Sequence, residues 1–271
     1  MLKLTKKLLD TYPDSWKKSL EHKDLDVLQF RNLQHFKNEV AKLKQVQDDN
    51  CGVTYAEAVK DLLNEKPLHS VEEYESIRNL VRSNLLKRGL ITEEVYESYR
   101  YAVEGEIVDV SRVIEENPEC FLTPAKTYSN WFYELYINIS YSGRVENKDV
   151  TKNCLKLLAT IEELERQHIY IKITLVDVSK SVSTTNKDLF LAIPLFDYRQ
   201  PKTADTMSSV INDRLLRKFS FAISEEIYKH NLQQHYGIVK KLDNTINIGD
   251  TLDEIEIFTD ILDKVIVPGE R

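Results

Sequence analysis

The most constraining stretch of this chain is a strand, a long amphipathic helix and a second strand in close succession. In Glu134 to Gly143, ELYINISYSG, Leu135, Ile137 and Ile139 alternate with Tyr136 and Asn138, and the segment then enters a turn dense with hydroxyls. That period of two is a strand with one apolar face. Asn147 follows as a helix N-cap with Asp149 in the first turn, and Val150, Cys154, Leu157, Leu158, Ile161 and Leu164 form one apolar stripe. Ile169 to Val178 then alternates again, Ile169, Ile171, Ile173 and Leu175 against Tyr170, Lys172 and Thr174. Such a succession is a right-handed βαβ unit, whose two strands lie parallel in one sheet.

The pattern continues beyond the unit. Leu189 to Phe196 reads as a third strand reached through the hairpin-like turn SVSTTNKD, with Pro194 expected at an edge or near the strand's end because it cannot donate to a ladder. Asp197 to Ser209 reads as a long polar loop, Val210 to Tyr228 as a helix and Asn244 to Ile248 as a short strand. Thr251 with Glu254 then signals a capping box for a final helix carrying Leu252, Ile255, Phe258, Ile261, Leu262 and Val265.

Residues 1–100 read as helical. Asp26 to Val46 places Val27, Phe30, Leu33, Phe36 or Val40, and Leu43 on one stripe. Thr54 with Glu57 and Ser70 with Glu73 are capping-box pairs opening two helices, the second running Val71 to Lys87 and closed by Arg88-Gly89. A further short helix is expected from Thr92 through Arg100, with Tyr96, Tyr99 and Tyr101 clustered. Residues 101–130 contain a glycine turn, the β-like IVDV, a brief helix and the breaker Asn117-Pro118, and read as a connector packed on an α/β domain spanning 131–271.

Composition narrows the function. The net charge of −7 gives no general attraction to phosphate backbones, so any nucleic-acid contact needs a local basic patch. Neither a GxxxxGK[ST] nor a GxGxxG run occurs, which argues against a P-loop hydrolase or a Rossmann dehydrogenase. Cys51, Cys120 and Cys154 are odd in number and unpaired in spacing, so neither a disulfide framework nor a zinc site is expected. The start MLKLTKKLLD lacks a signal peptide's long apolar region, and no membrane span is read anywhere, so a cytoplasmic protein is expected. The six histidines lack metal-ligand spacing, Ser140 and Ser142 lack the GxSxG elbow, and Glu162, Glu163 and Glu165 read as solvated helix-surface carboxylates. No enzyme is expected.

In open α/β sheets ligands sit at the carboxyl ends of strands, where Asn138, Ser140 and Ser142 lie. Asn138-x-Ser140-x-Ser142 resembles the DxSxS metal-ion-dependent adhesion motif of von Willebrand factor A domains, and the order of strand, motif, helix and strand is similar as well. The resemblance implies a von Willebrand A-like α/β fold and a strand-end site, with Mg²⁺ as the cofactor it would hold. Asn138 stands where that family has Asp; a carboxylate from Asp177 or Asp197, with Thr203 or Thr206, would have to compensate.

EGEIVDVSRVIEENPECFL, ELYINISYSGRV and LLRKFSFAISE also resemble, in order, three blocks of a phage protein family with a degenerate A-domain core. That likeness implies a non-enzymatic phage accessory factor, cytoplasmic in the host cell and acting in transcription or DNA metabolism. In size and acidity the chain is similar to single-stranded-DNA-binding factors that recruit a phage RNA polymerase. For that role the basic residues to contact single-stranded nucleic acid would be Arg78, Arg82, Lys87, Arg88, Arg214, Arg217 and Lys218. The alternative is a protein–protein adaptor using the strand-end residues, with or without a metal.

Overall fold

The computed structural model describes residues 16, 25–44, 53–67, 69–91, 99–103, 107–115, 117–124, 131–141, 145–179, 188–198, 200–212, 214–228, 242 and 245–264. The central unit is the expected one. Strand β5 (Trp131–Asn138) and strand β6 (Ile169–Ser179) pair in parallel from Trp131↔Ile169 to Asn138↔Val176, with helix α5 (Asn147–Arg166) crossing between them. Every member of the apolar stripe on α5 is fully buried. Glu146, rather than Asn147, stands at its cap.

Around this unit the sheet runs β1-β7-β6-β5-β8, with β1 at Leu25–Gln29, β7 at Asp188–Phe196 and β8 at Ile246–Asn247. Only the β6–β7 pairing is antiparallel, so the fold is mixed α/β with a mostly parallel sheet. One face of the sheet presents Leu135, Ile137, Ile171, Ile173, Leu175, Leu191 and Ile193 to the helices. The other buries Val27, Val176, Val178, Phe190 and Ala192 around Trp16, whose ring meets Tyr136 at 4.8 Å. Both faces being covered explains why β6 and β7 carry near-continuous apolar runs at this end. Pro194 pairs with Thr174 at a register shift, past the last β1 partner at Ala192, where a missing donor is tolerated.

Several expectations are corrected. Asp26 to Val46 is not one helix: Leu25–Gln29 is strand β1, Asn32 caps a new helix by accepting from the His35 N–H at 2.8 Å, and α1 is Leu33–Val40. Val27 and Leu28 are buried on opposite faces of the sheet, which only an extended chain allows. The parallel partner, β7, lies far along the chain, so a helical spacing of Val27 and Phe30 was overridden by tertiary pairing. The stretch expected to be wholly helical therefore supplies the sheet's edge.

Helices α2 (Tyr55–Leu63) and α3 (Val71–Lys87) begin as their sequences dictate. Thr54 and Glu57 form the full capping box, and Ser70 accepts from the Glu73 N–H at 3.1 Å. Gly89, at φ +67°, takes the left-handed turn that closes α3. Residues 92–98 lie outside the described residues, and Tyr99 and Arg100, the end of the helix expected there, begin strand β2 (Tyr99–Ala102). With β3 (Ile107–Val108) and β4 (Phe121–Pro124) it makes a second, antiparallel sheet in the order β2-β4-β3, and the brief helix is α4 (Val110–Ile114).

The expected polar loop holds helix α6 (Ala204–Val210), and the expected helix after it is split into a π turn at Leu215–Ser220 and α7 (Phe221–Tyr228). The last helix, α8 (Glu254–Lys264), is capped by Asp253, which accepts from the N–H groups of Ile255 and Glu256, rather than by Thr251.

Glu254 joins three helices. It accepts from Asn84 of α3 at 2.6 Å and from Lys156 of α5 at 3.2 Å. Burial disfavours its charge, yet these bonds outweigh burial and hold the carboxyl below its ordinary 4.5. Its contribution to stability is thus complete above about pH 4.5 and is lost as pH falls through the lower folded value. Glu254→Gln is expected to cost about 1–2 kcal/mol in urea titrations at pH 7. The difference from the parent chain should shrink as the titrations are repeated toward pH 3.

Candidate functional site

Strand β5 ends at Asn138, and its side-chain oxygen accepts from the Ser140 N–H at 3.0 Å, which turns the chain out of the sheet. Ser140 then donates to one oxygen of Asp177 on β6, and Ser220, at the end of the π turn, donates to the other. The Val178 N–H donates to Ser140 Oγ at 3.3 Å. Asn138, Ser140, Asp177 and Ser220 are all buried, Asp177 at 2% exposure. Burying a carboxylate is costly unless donors replace its water, and here two hydroxyls do so while tying β5, β6 and the π turn to one point.

The neighbouring crevice is where the strand order reverses, because β6 and β8 leave β5 on opposite sides. A doubly wound sheet opens its ligand cleft at such a place. Here the chain after β8 fills it. The Ile248 N–H donates to Asn138 O at 3.1 Å, and Gly249 lies so close to Tyr141 that a Cβ would stand 2.2 Å from the tyrosine's own. Asn153 of α5 donates to the Ile248 and Asp250 carbonyls at 2.9 and 2.8 Å, and Lys156 donates to Leu252 O at 3.1 Å. Side chains of α5 thus strap the loop down over the strand ends.

The other sequence candidates do not converge here. Strand β7 is antiparallel, so Asp197 leaves the sheet at the end opposite Asp177; Phe196 pairs with Ile173, whereas Asp177 pairs with Leu191. From Ile173 to Asp177 alone the strand climbs about 13 Å. Thr203 and Thr206 form the N-cap of α6, Thr206 N–H donating to Thr203 Oγ1 at 3.2 Å, and Thr206 also reaches Glu65. Ser142 lies outside the described residues. The described residues therefore do not fit the Mg²⁺ of an A module: Asn138 is neutral and already accepts a bond, and Asp177, the carboxylate among them, has a hydroxyl on each oxygen.

The basic candidates are distributed rather than gathered. Arg78 bridges Glu75 and Glu162 at 3.1 Å each, Arg82 lies 3.8 Å from Glu163, and Arg214 pairs with Asp61, whose carboxyl it holds below the usual range. Lys218 is buried, Lys87 and Arg88 are exposed at the end of α3, and the Arg217 side chain is outside the described residues. Glu163, expected to be solvated, is 2% exposed between Arg82 and Arg166.

A Ser-His-Asp grouping absent from the sequence reading also occurs: His69 Nδ1 stands 2.8 Å from Ser208 Oγ, and Nε2 stands 3.7 Å from Asp205. Ser208 is 1% exposed and also reaches the Asp205 carbonyl, so the contact fastens the start of α3 to α6 and offers no accessible nucleophile.

Sequence reasoning missed Ser220 and Asn153. Ser220 ends a π turn, which has no local signature, but Asn153 was detectable as a polar residue three places after Val150 and one before Cys154, within the apolar face of α5.

A mixed α/β protein with a mostly parallel five-stranded sheet and a hydrogen-bonded, closed strand end is the class these features define. The chain belongs to the family described as a domain of unknown function, DUF7192, whose model matches residues 10–265. No curated protein and no solved structure matches it.

Asp177→Ala leaves two buried hydroxyls without their acceptor and should cost about 3 kcal/mol in urea unfolding, against about 1–2 for Ser220→Ala. Gly249→Ala drives a methyl into Tyr141 and should cost about 1–3 kcal/mol. Unchanged midpoints would mean that the strand end and its covering loop do not bear on stability.

Proposed function

We propose that this protein is a non-enzymatic protein–protein adaptor on a degenerate von Willebrand A-like core, an accessory factor of the kind phages use in transcription or DNA metabolism. The observation that carries the core reading is the strand order, with β5 and β6 parallel around α5, β7 antiparallel and β8 on the far side of β5. At the strand end where A modules seat a cation, hydrogen bonds from Ser140 and Ser220 to Asp177 take the cation's place as the linking element. Binding then falls to surfaces around the core, without a metal to complete them.

The single-stranded nucleic-acid reading, including recruitment of a phage RNA polymerase onto such DNA, has narrower support. Arg78, Arg82 and Arg214 are engaged with carboxylates, which leaves exposed Lys87 and Arg88 as its best anchors. Two contacts of this kind give only weak, salt-sensitive binding.

Filter binding to a single-stranded oligonucleotide should retain little even at low ionic strength, where phosphate contacts are strongest, because Arg78, Arg82 and Arg214 are engaged with carboxylates. Strong retention lost on Lys87→Ala/Arg88→Ala would replace the adaptor by a nucleic-acid-binding factor. Titration calorimetry with Mn²⁺ should give the same heats for the parent chain and Ser140→Ala; a binding isotherm abolished by that substitution would restore the metal site.

A further inference from the structure

Among the described residues nine large apolar side chains stand exposed, and five of them, Val103, Val108, Val110, Val113 and Ile114, fall between positions 103 and 114. Scattered single apolar residues on a surface are ordinary, but a cluster is not. Val110, Val113 and Ile114 are at i, i+3 and i+4 and so share one face of α4, with Ile114 at 78% exposure. Val108 precedes them on edge strand β3, opposite Phe121 of β4; Ala102 flanks Phe121 from the other side, which brings Val103 to the same end of the small sheet.

Helix α4 is held with this face outward. The Asp109 N–H donates to Cys120 O at 2.8 Å, the Arg112 N–H to Asp109 Oδ1 at 3.4 Å, and the Asn117 N–H to Arg112 O at 2.9 Å. The Arg112 guanidinium donates to Glu119 O at 3.2 Å. The helix's one cation is thus turned onto the backbone of its own module while its valines and isoleucine face solvent. That is the reverse of the usual orientation of an amphipathic turn.

The sequence here is acidic. From Glu104 to Glu119 the sequence carries six carboxylates, Glu104, Glu106, Asp109, Glu115, Glu116 and Glu119, against the single Arg112. Glu115 and Glu119 are exposed beside the patch. We propose that this face is a docking surface for a basic amphipathic segment of a partner protein, whose apolar side covers Val108, Val110, Val113 and Ile114 and whose lysines or arginines meet the carboxylates. The proposal rests on the adaptor reading and names the chemistry of its partner.

Charge decides among occupants. A nucleic acid would bring phosphates against these carboxylates. A second copy related by two-fold symmetry would set the same acidic rim against itself. A cationic segment gains from both the apolar face and the rim, and charge complementarity of this kind also directs encounter.

The test uses the full chain and a fluorescein-labelled fifteen-residue peptide of Leu and Lys in helical repeat, with its Leu/Glu counterpart as control, read by anisotropy. The Leu/Lys peptide should bind, with the dissociation constant raised at least tenfold by Val110→Ser/Ile114→Ser and, separately, by Glu115→Lys/Glu119→Lys. Both variants should keep the parent's urea midpoint, since the altered side chains are exposed. The Leu/Glu peptide should bind at least tenfold more weakly. Equal affinity of either double variant and the parent would overturn the proposal, because a chain of net charge −7 attracts cations anywhere on its surface. So would a dimer in sedimentation velocity that dissociates on Val110→Ser/Ile114→Ser, which would assign the face to a second copy. Failure of the adaptor reading itself reads differently: oligonucleotide retention through Lys87 and Arg88 that is indifferent to the patch variants.

Discussion

The structure depends on α5 being buried on more than one side. A helix lying on a sheet needs one apolar stripe, but Leu155, Ala159 and Thr160 are as buried as Val150, Cys154 and Ile161. The sheet covers part of this surface, and α3, α6 and α8 pack on the rest. Desolvation of that surface favours packing α3, α6 and α8 onto the βαβ unit, at roughly 25 cal/mol per Å² of apolar area. The few polar side chains on the helix then select geometry: Asn153 and Lys156 hold the loop after β8, and Glu162 and Glu163 meet the arginines of α3.

This arrangement changes what the strand end can do. A site that exchanges ligands needs polar groups whose bonds are incomplete or easily given up, whereas Asp177 is shut under the chain with a serine on each oxygen. Two hydroxyls on one buried carboxylate tie β5, β6 and the π turn together through hydrogen bonds of the chain's own groups. Breaking these bonds costs the desolvation already incurred by the carboxylate. The same chemistry that resembles a recognition motif in the sequence therefore acts as a clasp.

What the sequence made legible was local. The alternation in β5 and β6, the stripe on α5 and the caps at Thr54 and Ser70 each depend on residues within a few places of one another, and each stands as read. The errors share a cause, which is partners far along the chain. Strand β1 takes its identity from β7, over a hundred and fifty residues away, and Asp197 could be placed at the wrong end of the sheet only while the direction of β7 was left unused. At the candidate site Asn138, Ser140 and Asp177 were found from position on strands, while Ser220 needed the fold. The arginines illustrate a further limit: a sequence displays their charge but not the carboxylates of α5 that occupy them.

Arg112 and Arg78 are held in contrasting ways. Arg78 joins helices α3 and α5, so its charge serves the interior of the fold. Arg112 is used to satisfy a carbonyl within a small module whose apolar side chains remain in water. Each exposed methyl there forgoes stabilisation that an inward-facing helix would have gained. Buried hydrogen bonds thus sit at the strand ends, while apolar area stays exposed on α4 and β3.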